Sequence, residues 1–138
     1  MERNNSIKAL LLQDLGARLF YGVKGLAYIV GEPCNTNTNI VGIINESIVT
    51  NYESPMLDLI NLNSKDITIK PYLRPMSSMT EEEKDHFCYL TSLGFVGIST
   101  NSSDNINDWL NANHFDYRGL IEKGLAIAVT EKNNPYKN

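Results

Sequence analysis

From residue 21 the chain reads YGVKGLAYIV (21–30), NIVGIIN (39–45), SIVTNYE (47–53), MLDLIN (56–61) and DITIKPYL (66–73). These short runs are rich in Val, Ile, Tyr and Thr, and turn-forming stretches such as GEPCNTNTN (31–39) and NLNSKD (61–66) separate them. That pattern predicts four or five short antiparallel strands. The last run ends in PYLRP (71–75), where a proline at each end stops strand pairing and fixes the exit of the chain. Upstream, Ser6 is an N-cap candidate for the helix IKALLLQDLGARL (7–19), whose Leu11, Leu12, Leu15 and Leu19 fall at helical spacing. Gly16 within it costs about 1 kcal/mol relative to alanine unless close packing demands it. A leading helix followed by such strands predicts a small antiparallel SH3-like or Sm-like β-barrel or sheet.

The second half reads as helical. Thr80 with Glu83 forms a capping box, opening a helix EEEKDHFCYLTSL (81–93) that Gly94 and Phe95 end in a Schellman-type stop. Its stripe Phe87, Leu90 and Leu93 is expected to dock on the β part. FVGIST (95–100) is a candidate strand and residues 102–107 a polar loop, from which Asn105 caps a short helix carrying Ile106, Trp109 and Leu110 inward. Asp116 caps a second short helix, YRGLIEK (117–123), which Gly124 ends before LAIAV (125–129). The tail TEKNNPYKN (130–138) reads as frayed. The fold class is therefore α+β: an N-terminal helix, a small β unit and C-terminal helices packed on it. The 138 residues form a single domain, with a β-rich lobe at about 6–76 and a helical lobe at about 77–130.

Composition narrows the function classes. A hydrophobic content of 42% with 20% charge is that of an ordinary globular chain. No apolar run is long enough to span a bilayer and the N-terminus lacks a signal-peptide layout, so the cytoplasm is the expected location. Cys34 and Cys88 show no metal-ligand or paired spacing and read as reduced thiols. The net charge of -4 lies entirely in the C-terminal half. The bases of the first half are scattered, which argues against nonspecific DNA binding.

Two segments, KPYLRPMSSMTEEE (70–83) and WLNANHFDYRGLIEKGLA (109–126), resemble segments of small uncharacterised proteins of gut Bacteroidales and of their phages and prophages. The order of a Leu-rich helix and then LGARLFYGVKG (15–25) is similar to that group as well. The resemblance implies a mobile-element origin and brings no cofactor, activity or site residue with it. It favours the roles phages give small proteins: blocking a host enzyme, sequestering a signalling nucleotide, or modulating nucleic acid.

The candidate ligand-binding residues are His114, Asp116, Tyr117, Arg118, Trp109, Tyr72 and Arg74. Arg118 offers a planar donor fork and Tyr117 a hydroxyl, while the amides behind Asp116 favour an anion, so the cluster suits phosphate or carboxylate. The structural alternative makes Asp116 a cap, Phe115 and Tyr117 core, and Arg118 the partner of an acid. Trp109 is either a buried anchor or a stacking platform, and Tyr72 with Arg74 either a recognition edge or a chain exit. His114 and Asp116 are too few for zinc, His86 lies among acids on another helix, and Cys88 is on a different helix face from His86. No glycine-rich phosphate loop is present. Neither a metal nor a cofactor is expected.

The first functional expectation is a non-catalytic phage or prophage binding protein that captures a host protein or a phosphate-containing nucleotide messenger. The alternatives are a small-barrel module for RNA or single-stranded DNA, opposed by the acidic balance, and an enzyme built on the cluster at 114–118. Short strands with uncovered edges and the apolar LAIAV segment add a homo-oligomer to the expected partners.

Overall fold

The computed structural model describes residues 2–29, 35–51, 59–95 and 102–136. Helix α1 (Glu2–Arg18) begins ahead of Ser6, which is exposed inside it and is not the N-cap. No glycine or proline precedes Gly16, and once a helix is nucleated each further residue adds a hydrogen bond. Gly16 faces solvent, and a Cβ there would meet nothing within 4 Å. Gly16→Ala is therefore expected to stabilise the protein by about 0.5–1 kcal/mol, read as a rise in the urea midpoint at unchanged slope.

A 3-10 turn (Leu19–Tyr21) leads into β1 (Lys24–Ile29), followed by β2 (Asn35–Ile44), β3 (Ser47–Thr50), β4 (Leu59–Asn61) and β5 (Ile67–Leu73). The strands lie in the order β4-β3-β2-β1-β5, and β6 (Ile127–Ala128) adds to the far side of β5 in parallel. All other pairings are antiparallel. The expected strands are thus present, with the first half of MLDLIN outside the described residues. However, β2 starts at Asn35 within the expected turn, and Pro71 does not stop pairing: it lies inside β5 opposite Gly25. The sheet is open, which corrects the closed form of the barrel. β4 comes against β5 near the turn that joins them, but the two share no ladder among the described residues. A three-residue β4 offers too short an edge to complete one.

One face of the sheet is apolar. Ala27, Ile40, Ile48, Ile60, Ile69 and Leu73 bury against Leu11 and Leu15 of α1 and against Leu120 and Ala126. Gly25 sits at the tightest point: a Cβ there would lie 3.0 Å from both the Ile40 side chain and the Lys70 carbonyl. A register shift between Ile40 and Gly42 turns Val41 out to solvent.

The helical lobe differs in detail from expectation. Helix α2 (Glu81–Phe95) keeps its capping box: Glu83 N–H donates to Thr80 Oγ1 at 3.1 Å, and Thr80 N–H to Glu83 Oε1 at 2.8 Å. It runs through Gly94, and strand candidate FVGIST lies almost wholly outside the described residues. α2 packs chiefly on α3 (Ser102–Ala112) rather than on the strands, through Leu90 and a Phe87–Trp109 ring contact at 6.3 Å. α3 begins at Ser102, so the expected polar loop at 102–107 is helix and Asn105 lies inside it. Serine and asparagine favour caps only weakly enough for packing of Trp109 and Leu110 to override them.

Candidate functional site

The end of α3 is closed by a Schellman motif with histidine in glycine's place. His114 N–H donates to Asn111 O at 3.1 Å and Phe115 N–H to Leu110 O at 2.9 Å, with His114 at φ 64°. Histidine tolerates this left-handed backbone better than most residues, though not freely. The following residues run beside the end of β5. Arg74 N–H donates to His114 O at 2.7 Å and Asp116 N–H to Arg74 O at 2.8 Å.

Asp116 holds the segment that follows it, but not as the helix N-cap expected from the sequence, since its bonds go four and five residues on. Its carboxylate is buried and accepts from Leu120 N–H at 2.8 Å and Ile121 N–H at 2.9 Å. The segment it holds makes turns instead of the expected short helix. Gly124, at φ 74°, ends it with Leu125 N–H on Leu120 O at 2.9 Å. Three turn residues after Asp116 already include Gly119 in the left-handed region, which breaks regular winding.

Beneath these turns lies a buried charged hub that the sequence reading missed. Asp14 and Arg18, one helical turn apart on α1, are both fully buried. Arg18 Nε and Nη2 donate to Asp14 at 2.7 and 3.0 Å, and Nη2 also to Phe115 O at 2.6 Å. Arg118 Nη1 donates to Asp14 Oδ1 at 2.8 Å. The Tyr117 ring lies between the two guanidiniums, 5.3 Å from Arg18 and 4.6 Å from Arg118, and its hydroxyl donates to Asn111. One carboxylate therefore holds two guanidiniums. Arg18 Nη1 and His114 Nδ1 are buried without a hydrogen-bond partner.

Arg74 is committed as well. Its Nη1 and Nη2 donate to Glu83 at 2.8 and 2.7 Å while its guanidinium covers the buried Phe115 ring at 4.2 Å. The Arg74 guanidinium holds the Glu83 carboxyl below the usual carboxylate range. Trp109 packs against Phe115 at 5.6 Å and His86 at 5.2 Å, half-buried. Tyr72 is buried and its hydroxyl donates to Asn37 at 2.8 Å.

The tail is anchored, which corrects its reading as frayed. Tyr136 stacks on His114 with ring centroids 3.6 Å apart and planes 10° from parallel. Its hydroxyl donates to Tyr72 O at 2.8 Å and accepts from Lys24 N–H at 2.9 Å. Burial pushes this phenol up to about 12. One aromatic anchor with two backbone bonds offsets the polar composition of the residues before it.

Between this strap, the end of α3 and the start of α2 lies an open cleft of about 740 Å³. Arg74 and His114 line it, with Ser78, Thr80, Asn113, Thr130, Glu131, Asn134 and Tyr136. Of the seven candidate residues, the cleft brings together these first two; Asp116, Tyr117, Arg118, Trp109 and Tyr72 do not line it. Burial and the nearby Arg18, Arg74 and Lys24 push the His114 imidazole down to about 4. Because the unfolded chain binds that proton near the ordinary value and the folded chain does not, stability is expected to fall as pH drops from about 6.5 towards 4. His114→Asn, which also tolerates the left-handed backbone, should flatten that slope in urea titrations across this range.

Compared with known protein families, with curated proteins and with solved structures, the chain matches none. Among the described residues no group of three or more His, Cys, Asp or Glu is placed to hold a metal ion, and no helix is long and apolar enough to cross a membrane.

Proposed function

We propose that this chain is a non-catalytic binding protein that holds a segment of a partner protein in the cleft beside His114 and Tyr136. The observation that carries this reading is the state of the guanidiniums. Arg74, the guanidinium that lines the cleft, has both Nη atoms on Glu83, so its fork is not free for a phosphate, and Arg118, bonded to Asp14 through Nη1, does not line the cleft. Besides the Glu83-paired Arg74 and the apolar Ala112 and Val129, the cleft presents Ser, Thr and Asn hydrogen-bonding groups, the neutral His114–Tyr136 stack, and the carboxylate of Glu131. Such a rim suits an uncharged or basic polypeptide segment better than a nucleotide messenger. The resemblance to small phage and prophage proteins of gut Bacteroidales supports a host protein in the bacterial cytoplasm as the target, with interference in host defence as the outcome. Self-association through the short edge strand β4 belongs to the same reading, since Leu59 within it is 52% exposed. A monomer mass at every concentration in light scattering removes that part of it.

Affinity capture from a Bacteroidales lysate tests the main proposal. The wild-type chain is expected to retain a protein that Thr130→Trp, at the exposed rim of the cleft, loses. Equal retention by both chains contradicts it.

One observation favours the small-barrel nucleic-acid module as a second reading. A leading helix and the run β4-β3-β2-β1-β5 within the sheet support this reading, although β6 adds in parallel to the outer edge of β5. Opposite the apolar face, alternation and register set Lys24, Leu26 and Tyr28 of β1 beside Thr68, Lys70 and Tyr72 of β5. The spent Tyr72 hydroxyl and the net charge of -4 weigh against it. Binding of a labelled oligouridine that Lys24→Ala and Lys70→Ala together abolish would favour this module over the protein binder.

A further inference from the structure

The open seam of the sheet contains a second hollow, which shares no lining residue with the cleft. It measures about 170 Å³ and lies between β4 and β5, where the two consecutive strands pair with β3 and β1 and not with each other. Ile7 and Leu11 of α1, Ile60, Leu62, Ile67 and Leu125 make most of its lining aliphatic, with Asn61, Ser64 and Thr68 adding polar groups.

Its mouth is different in character. Lys8 lines both the hollow and a shallower adjoining depression of about 270 Å³ that also shares Ile7 and Leu62. The Lys8 ammonium donates to the Asn63 side-chain carbonyl and stands 4.0 Å from Glu46, at the limit of an ion pair. Glu46 itself accepts from the Asn63 amide, so the lysine charge is only partly answered. Lys70 lines the hollow too, but alternation along β5 sets its side chain on the face opposite the buried Ile69, so the weakly paired Lys8 ammonium is the cation beside this mainly apolar hollow.

We infer that this seam pocket binds a compact monocarboxylate, with a short aliphatic chain in the aliphatic hollow and its carboxylate on Lys8. The chain length is set by the volume, and the head group by the charge. This site does not depend on the cleft reading.

The test is an amide NMR titration of the full-length protein with butanoate, hexanoate, octanoate and 1-hexanol. Hexanoate should produce saturable shifts at Ile7, Lys8, Leu11, Ile60, Ile67 and Leu125. Affinity should rise about fourfold for each methylene until the hollow is full, and then level off. Lys8→Gln, a part-exposed change that leaves the core untouched, should reduce hexanoate to the affinity of hexanol and leave hexanol unchanged. Leu125→Trp should fill the hollow and abolish both. The inference is overturned by absence of saturable shifts at these amides up to about 10 mM ligand, a concentration range that still detects millimolar binding. Equal hexanoate affinity in the wild type and Lys8→Gln overturns it too.

Discussion

Asp14→Ala is expected to lower unfolding free energy by about 3–5 kcal/mol, because it strands buried charge. Asp14 is fully buried and is the shared acceptor of Arg18 and Arg118. Without it, Arg18 keeps the Phe115 carbonyl as its hydrogen-bond partner, and its own side chain has no exposure through which to reach water. Arg118, at 19% side-chain exposure, can swing outward, so most of the loss comes through Arg18. A double change, Asp14→Leu with Arg18→Met, should recover much of the stability, since apolar replacement of a whole buried pair is often neutral or better. Urea unfolding of the three proteins measures this. A loss under about 1 kcal/mol for Asp14→Ala would class the pair with exposed ion pairs and contradict the buried hub.

Phe115→Ala should cost about as much, roughly 3–5 kcal/mol, by opening a cavity where a fully buried ring now sits. The ring touches Trp109 on one side and lies under the Arg74 guanidinium on the other. Its loss therefore loosens the bridge between residue 115 and Arg74 at the end of β5 and the Arg74–Glu83 pair together. Phe115→Leu should cost less, because the smaller void is partly filled. Since total stabilities are about 5–15 kcal/mol, the alanine variant should show faster amide exchange at residues 114–116 as well as a lower urea midpoint. Unchanged exchange there would separate Phe115 from the cleft.

The two most local signals were legible in the sequence. Thr80 with Glu83 acts through neighbouring residues and bonds the amides a capping box implies, while Asp116 also bonds amides ahead of it but reaches Leu120 and Ile121 and not the first-turn amides of a helix. Alternation in residues 24–29 and 67–73 likewise marks which strand face is apolar. It does not say which edges pair, and so the open seam between β4 and β5 was not readable. Asp14 and Arg18 have the spacing of an ordinary solvated helix pair. Only the turns arriving from residues 115–118 bury them, a contact about a hundred residues away in sequence. His114 stood out as a chemical group, but nothing local announces a histidine in a left-handed helix stop. Tyr136 was hidden by the polar residues around it, although a lone aromatic in such a tail was the available signal.

The most direct test of the central claim is native mass spectrometry of the protein purified from Bacteroidales cells, compared with its denatured mass. The binding reading predicts a complex of this chain with a partner polypeptide that denaturation releases and Thr130→Trp prevents. A small phosphate-bearing mass released in its place, retained by Thr130→Trp, would contradict it.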